Sequence, residues 1–331
     1  MSEAGAGDLA ARSGVAALPS VGHPPSSSPT RGEGSVWTGS RWFFVAVLIT
    51  LGVGWGSTQS LGKMATATGH QPFGLIFWQL LVGALVLGAV SLLRGKGLVF
   101  SRQAFTFYVA VAVIGTLIPN ATFYAAVVHL PAGIMSILIS TVPFLAFPMA
   151  LALGLDRFSA GRLAGLALGL VGVALIASPG AGGAVSLGWL MVAMVGPLFY
   201  AVEANYVARG GTAGMDAVQA MFGVSVVGTV LAAPLALATG QWVDPFPLGR
   251  AEWALVASSV VHALVYASYV WLASKAGSVF ASQTSYLVTA SGVFWAMLLL
   301  GERFSPMVWV ALVVMLAGVA LVRPRDKKGE A

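Results

Sequence analysis

Residues 153–175 read LGLDRFSAGRLAGLALGLVGVAL, and residues 300–321 read LGERFSPMVWVALVVMLAGVAL. Asp156-Arg157-Phe158-Ser159 returns as Glu302-Arg303-Phe304-Ser305, and Gly172-Val173-Ala174-Leu175 as Gly318-Val319-Ala320-Leu321. Both pairs are offset by 146 residues (302 − 156 and 318 − 172). A fixed offset means two copies of one unit, which constrains the fold more than any single motif.

Each copy is almost wholly apolar. Hydrophobic residues make up 58% of the 331-residue chain and charged residues 8%, where a soluble domain carries about 25% charged residues. The chain therefore reads as a membrane protein. It contains no cysteine, which excludes disulfides, Cys-ligated zinc, iron–sulfur clusters and thiol catalysis. The net charge of +6 is spread along the links between apolar runs. It thus speaks of membrane topology and not of nucleic acid. Residues 1 to about 36 contain the Ser/Pro/Gly-rich stretch SVGHPPSSSPTRGEGS and no apolar run, the composition of a disordered tail. No signal peptide is visible, because the first apolar run ends without a cleavage-like site.

A spanning helix needs roughly 20 apolar residues. Ten such runs fit, at about 42–61, 73–93, 104–128, 131–154, 160–178, 186–208, 215–238, 252–273, 278–300 and 305–322. The expected fold is an all-α membrane protein with ten transmembrane helices in two inverted five-helix repeats. Its parts are a disordered cytoplasmic tail (1–40), a first repeat (41–180), a second repeat (181–323) and a C-terminal cytoplasmic tail (324–331). With the N-terminus inside, twelve Lys or Arg residues near span ends face the cytoplasm. Only Lys63, Arg250 and Arg303 face outward, as positive-inside bias requires. Five spans per copy is odd, so the second copy enters from the opposite side. Asp156-Arg157 should then face inside and Glu302-Arg303 outside. Gly161, Gly165 and Gly169 in span 5, and Gly52 and Gly56 in span 1, are spaced for close helix contact. Pro119, Pro143, Pro148 and Pro197 should kink their helices.

An ionisable group at mid-bilayer is costly and faces a bundle interior or water. Two stand out, Glu203 in span 6 and His262 in span 8. His262, Tyr266 and Tyr269 share a helix face, and the offset maps them onto Thr116, Asn120 and Phe123 of span 3. A face that is partly polar in both copies suggests a shared cavity; the alternative is a satisfied histidine with two packing tyrosines. Tyr200 shares a face with Glu203. Shifted by 144 (203 − 59), Glu203 meets Gln59 and Phe199 meets Trp55. Trp55, Gln59 and Lys63 form one stripe, with Lys63 near the outer interface where snorkelling alone would explain it. Asn120 with Tyr124, and Gln283 with Tyr286, form shorter stripes. Trp37, Trp42, Trp189, Trp242 and Trp253 fall near span ends as interface anchors, and Trp78 falls deeper.

GWGSTQSLGK at 54–63, YAAVVHLPAG at 124–133, LGLDRFS, LGERFS and the GVAL endings together resemble the EamA-type transporters of the drug/metabolite transporter superfamily. The likeness covers about residues 42 to 323. The first copy departs from the usual Gly-Glu-Arg by one extra residue and Asp for Glu, and WGST stands where the family often has Asn after Trp-Gly-Ser. The resemblance implies a ten-helix carrier in a bacterial cytoplasmic membrane that exports amino acids, other small metabolites or drugs. The expected cavity lies between the halves, lined by spans 1, 3, 4, 6, 8 and 9. Trp and Tyr would stack on substrate, and Gln59, Asn120 and Gln283 would hydrogen-bond it. Glu203 could hold an ammonium group or a coupling proton, and His262 could relay a proton. No cofactor is called for, no GxxxxGK[ST] loop offers ATP drive, and no HExxH or GxSxG motif supports an intramembrane enzyme. No charged ring or filter loop supports a channel.

Overall fold

In the computed structural model the described residues are 38–155, 157–178, 186–276 and 283–321. The chain divides into Met1–Arg41 and Trp42–Ala331, and the helical bundle belongs to the second unit. Among the described residues the only regular structure is helical. The elements are α1 (Thr38–Ala65), α2 (Pro72–Leu93), α3 (Arg102–Val111), a π-helical segment (Ala112–Leu117) and α4 (Ile118–Val127). Then follow α5 (Ala132–Ile139), α6 (Val142–Ala152), α7 (Ala160–Ala177), α8 (Leu187–Gly210), α9 (Ala217–Ala238) and α10 (Arg250–Ala276). The two shorter apolar helices Thr284–Leu300 and Pro306–Leu321 close the series as α11 and α12. Eight stretches are long and apolar enough to cross a membrane by themselves. With α11 and α12 they make ten crossings. Asp156, residues 1–37 and residues 322–331 lie outside the described residues, and α1 begins at Thr38, inside the tail expected over 1–40.

Span 3 is built from α3, the π segment and α4, and the sequence explains the join. Pro119 has no N–H, and its ring collides with the carbonyl four residues back, that of Gly115. The helix relieves this by widening into a π turn just upstream. Span 4 breaks between α5 and α6 for a related reason. Pro143 cannot bond the Ile139 carbonyl. Polar side chains at the break serve the neighbouring carbonyls: Ser140 Oγ donates to Ile137 O at 2.7 Å, and Thr141 Oγ1 to Leu138 O at 2.6 Å. Pro148 and Pro197 sit inside α6 and α8.

The helix contacts come in symmetric pairs. Second spans pack on each other (α2 on α9), and so do fifth spans (α7 on α12). The third span of the first copy packs on the first span of the second (α4 on α8). The reciprocal contact sets Trp55 of α1 against His262 of α10. The copies run in opposite directions. Lys63, at the end of α1, donates to Leu130 O at 2.8 Å. Next to Leu130, His129 stacks on Trp189, at the start of α8, with ring centroids 3.9 Å apart. The helix that opens the second copy thus begins on the face where the helix that opens the first one ends.

In lipid, helices gain little from apolar burial alone and associate through close packing. Glycines provide it. A Cβ on Gly52 would strike Leu287, one on Gly56 Ser291, one on Gly169 Phe144 and one on Gly172 Met315. Gly318 lies over the Gly165 carbonyl. Gly161, the remaining member of the expected stripe, has open space around it.

Two layers of polar contact join the copies at the faces. On the face where α1 ends, Lys63 Nζ donates to Glu302 Oε1 at 2.9 Å. The same carboxylate accepts from Ala132 N (2.8 Å) and Gly133 N (3.0 Å), the first N–H groups of α5. Lys63 is therefore held in a specific pair, which differs from the snorkelling expected for a lone interfacial lysine. The reason is tertiary: the loop after span 9 delivers Glu302 to the α5 N-terminus, a site that favours anions. His70 and Glu252 join the copies on the same face at 2.6 Å. On the opposite face Asp216 caps α9 through Gln219 N (3.1 Å) and accepts from Arg94 (3.0 Å) and Lys96 (2.6 Å).

Candidate functional site

The π turn before Pro119 does more than bend span 3. It places Gly115 against α8, where a Cβ would lie 2.5 Å from Glu203 Cδ and 2.7 Å from both its oxygens. In the position it takes here, that carboxylate fills the space a Cβ at 115 would occupy. π turns of this kind recur at functional sites. Tyr200 lies one turn back from Glu203 on α8. Among the described residues no hydrogen bond or ion pair holds the carboxylate.

Beside it runs a chain of hydrogen bonds. Tyr200 Oη donates to Asn120 Oδ1 at 3.3 Å. Asn120 Nδ2 donates to Gln79 Oε1 at 3.2 Å, and Tyr124 Oη donates to the same oxygen at 3.0 Å. The network thus crosses from α8 through α4 to α2.

Trp55 supplies the opposing wall. Its ring stands nearly perpendicular to His262 (5.9 Å, 81°), Tyr266 (6.2 Å, 80°) and Tyr269 (5.8 Å, 67°). His262 and Tyr266 stack on each other one turn apart, at 6.4 Å and 23°. A cavity of about 40 Å³, bordered by Gln79, Thr116, Ser225, Ser259, His262 and Tyr266, lies between this wall and the π turn. That is space for a few water molecules. A wider crevice of about 580 Å³, almost wholly apolar, lies among Phe73, Val113, Leu117, Leu231 and Pro234.

Of the eleven sequence candidates, the structure groups eight. Asn120, Tyr124 and Tyr200, with Glu203 one turn along α8, form one cluster; Trp55, His262, Tyr266 and Tyr269 form the other; and Gln79 of the first network and Tyr266 of the second line one cavity. Thr116 and His262, matched by the repeat offset, line the same cavity. Gln59 is half-buried one turn beyond Trp55, and among the described residues neither its Oε1 nor the Tyr286 hydroxyl on α11 has a partner. Gln283 stands at the N-cap position of α11. Among the described residues, no hydrogen bond or ring contact joins Gln59 or Tyr286 to the clusters. The cavity is walled by spans 2, 3, 7 and 8, whereas the expected lining omitted spans 2 and 7 and included spans 1, 4, 6 and 9.

Gln79 and Gly115 were missed. Gln79 stands alone in span 2 with no polar neighbour on its own face, so no stripe marks it; its one signal is being an amide inside an apolar run. Gly115 looks like any of the 41 glycines until Glu203 is seen against it. Trp78 is no part of the site. Its Nε1 donates to Val243 O at 2.9 Å, and it packs with Phe77 and Trp242 at the face where α1 ends.

A ten-crossing helical bundle of two oppositely directed copies, with a half-buried polar cluster where they meet, is the architecture of a membrane transporter. The model of the EamA-like transporter family matches twice, over residues 42–178 and 187–323, and the chain belongs to that family. Twenty chains of known structure match it. One, described as "Crystal structure of protein", aligns with TM-score 0.56 and 18% identity, covering 85% of this chain and 97% of its own. At that identity the likeness bears on the fold alone. No curated protein matches.

Proposed function

We propose that this protein is a secondary transporter moving a small metabolite or drug-like compound across a bacterial cytoplasmic membrane by alternating access, in the outward direction. The observation that carries the reading is the half-buried Glu203 cluster at the junction of two copies that cross in opposite senses. Two copies of one pattern give two near-equivalent packings, and exchanging them opens the central site to alternate sides. The bodies that exchange are residues 41–180 and 181–323, with both termini in the cytoplasm as the Lys and Arg distribution favours.

In this reading the protein catalyses no covalent step. Trp55, Tyr200, Tyr266 and Tyr269 contact the substrate through their rings. Asn120, Tyr124, Gln59, Gln283 and Tyr286 supply polar contacts as the copies move. Glu203 carries the negative charge of the site, and His262 serves a coupling proton.

The test is flux in proteoliposomes at matched protein density. Glu203→Gln should reduce flux strongly while the protein still folds, and His262→Ala should alter the pH dependence of flux. Wild-type flux in Glu203→Gln would remove Glu203 from the mechanism, and an unchanged pH profile would do the same for His262.

A further inference from the structure

Resting on the transporter reading, we propose that His70 and Glu252 form a pH-sensitive latch between the two copies on the face where α1 ends, the outer face in that reading. Protons from outside close it, and the matching contact on the inner face is blind to them.

The repeat carries the first step. His70 directly precedes Gln71, the N-cap residue of α2, and Met215 directly precedes Asp216, the N-cap residue of α9. The two positions are equivalent in the two copies, 145 residues apart (215 − 70). Each reaches across to the third span of the other copy. Met215 Sδ accepts from Tyr108 Oη of α3 at 2.9 Å. His70 Nε2 meets Glu252 Oε1 of α10 at 2.6 Å. One contact is thus made twice, on opposite faces, with different chemistry.

Charge carries the second step. Histidine changes charge between about pH 5 and 8, where tyrosine and methionine do not. Beside Met215, the contacts of Asp216 pair a carboxylate with Arg94 and Lys96, groups that also keep their charges over that range. A protonated His70 faces the Glu252 carboxylate as an ion pair, and a neutral one offers only a hydrogen bond, which is weaker. The added hold on the closed outer face is therefore present at low pH and is lost as pH rises and the imidazole gives up its proton. An acid exterior favours reclosure of the outer mouth.

The surroundings carry the third step. Glu252 Oε2 accepts from Gly249 N at 2.8 Å, so the start of its own helix fixes the carboxylate. The two side chains are 17% and 10% exposed, covered enough for a specific contact and open enough for protons to arrive. α2 and α9, which pack beside α10, carry no charged residue. On α10 the next titratable group inward is His262, ten residues on (262 − 252). The other groups of this face are engaged elsewhere: Lys63 on Glu302, His129 on the Trp189 ring and Asp244 on Phe246 N. Among the described residues, Arg250 and Arg303 form no ion pair with His70 or Glu252.

The full-length protein in lipid nanodiscs tests this. The chain has no cysteine of its own, so spin labels on Thr68→Cys and Leu248→Cys, both exposed and on the two segments that carry the pair, report opening of this face by pulsed distance measurement. With His70 in place, the ratio of open to closed distances should rise about three- to ten-fold from about pH 5.5 to about pH 8, the span of adding charge to one contact. In His70→Gln, which keeps a hydrogen-bonding group but cannot titrate, the ratio should not change with pH. His129 and His262 remain in that variant as internal controls. A ratio that stays constant or falls with His70 in place overturns the proposal, as does a pH shift that survives in His70→Gln. The first comparison needs no change to the pair itself. The distances are read without substrate, so the two readings fail separately. Unchanged distances remove the latch and leave the transporter, whereas flux indifferent to Glu203→Gln and His262→Ala removes the central mechanism and leaves the latch.

Discussion

Gly115→Ala isolates the role of the π turn. Elsewhere in a helix this substitution favours folding by up to about 1 kcal/mol, because Ala is the better helix former. Here the added Cβ would stand 2.5 Å from Glu203 Cδ. Carbon atoms rest about 3.5 Å apart or more, so the carboxylate must retreat by roughly 1 Å, or the helices must part. Overpacking of that size costs about 1–3 kcal/mol. The net effect is therefore a loss of about 0–2 kcal/mol in stability, with transport falling about tenfold or more through the displaced carboxylate. Gly161→Ala is the matched control: its surroundings are open, so it should be neutral or stabilising and leave flux intact. Thermal unfolding in detergent and flux in proteoliposomes, run on both variants, read the two quantities. Wild-type flux and an unchanged Tm in Gly115→Ala would refute the claim that an absent side chain makes room for Glu203.

Three other outcomes are expected. Lys63→Met and Glu302→Gln should each cost about 1.5–3 kcal/mol, and the double variant should show a coupling of about 1 kcal/mol or more; additive effects would mean the pair holds nothing together. Because the chain lacks cysteine, single reporters are unambiguous. Gly97→Cys should react with an impermeant thiol reagent only from the cytoplasmic side, and Thr68→Cys only from the outside; the reverse pattern would overturn the orientation. Asp216 is pushed up by partial burial, but Lys96, the Gln219 N–H and Arg94 together outweigh this and hold it below the usual carboxylate range. A depressed folded pKa contributes stability that is present above the ordinary value near 4 and is lost as pH falls through the folded value. Asp216→Asn keeps a capping side chain, so at neutral pH it should cost only about 0.5–1 kcal/mol. The gap to wild type should narrow as pH falls below about 4 and close past the lower folded value, where the native carboxyl protonates; a gap that persists there would point to a cause other than charge.

The sequence by itself determined the membrane setting, the ten crossings, the duplication and its inversion. These follow from local composition and counting: apolar runs of fixed length, an offset of 146 between matching motifs, and an odd number of spans per copy. It also singled out Glu203 and the His262 face, because an ionisable group in an apolar run is conspicuous wherever the helix packs. The same offset correctly led from His262 to Thr116, its neighbour across the cavity.

Only the tertiary structure decided what those groups meet. Gln79 joins Asn120 and Tyr124 across 41 and 45 residues of chain, a pairing no helical period encodes. Lys63 finds Glu302 across 239 residues, which turns an expected interfacial lysine into one half of a contact between the copies. Gly115 stands out from the other glycines only when α8 lays Glu203 on it. Periodicity records which side a residue takes on its own helix. Which helix comes to face that side is a matter of packing between spans, where two small residues and a proline-driven π turn outweigh the propensity of any single segment.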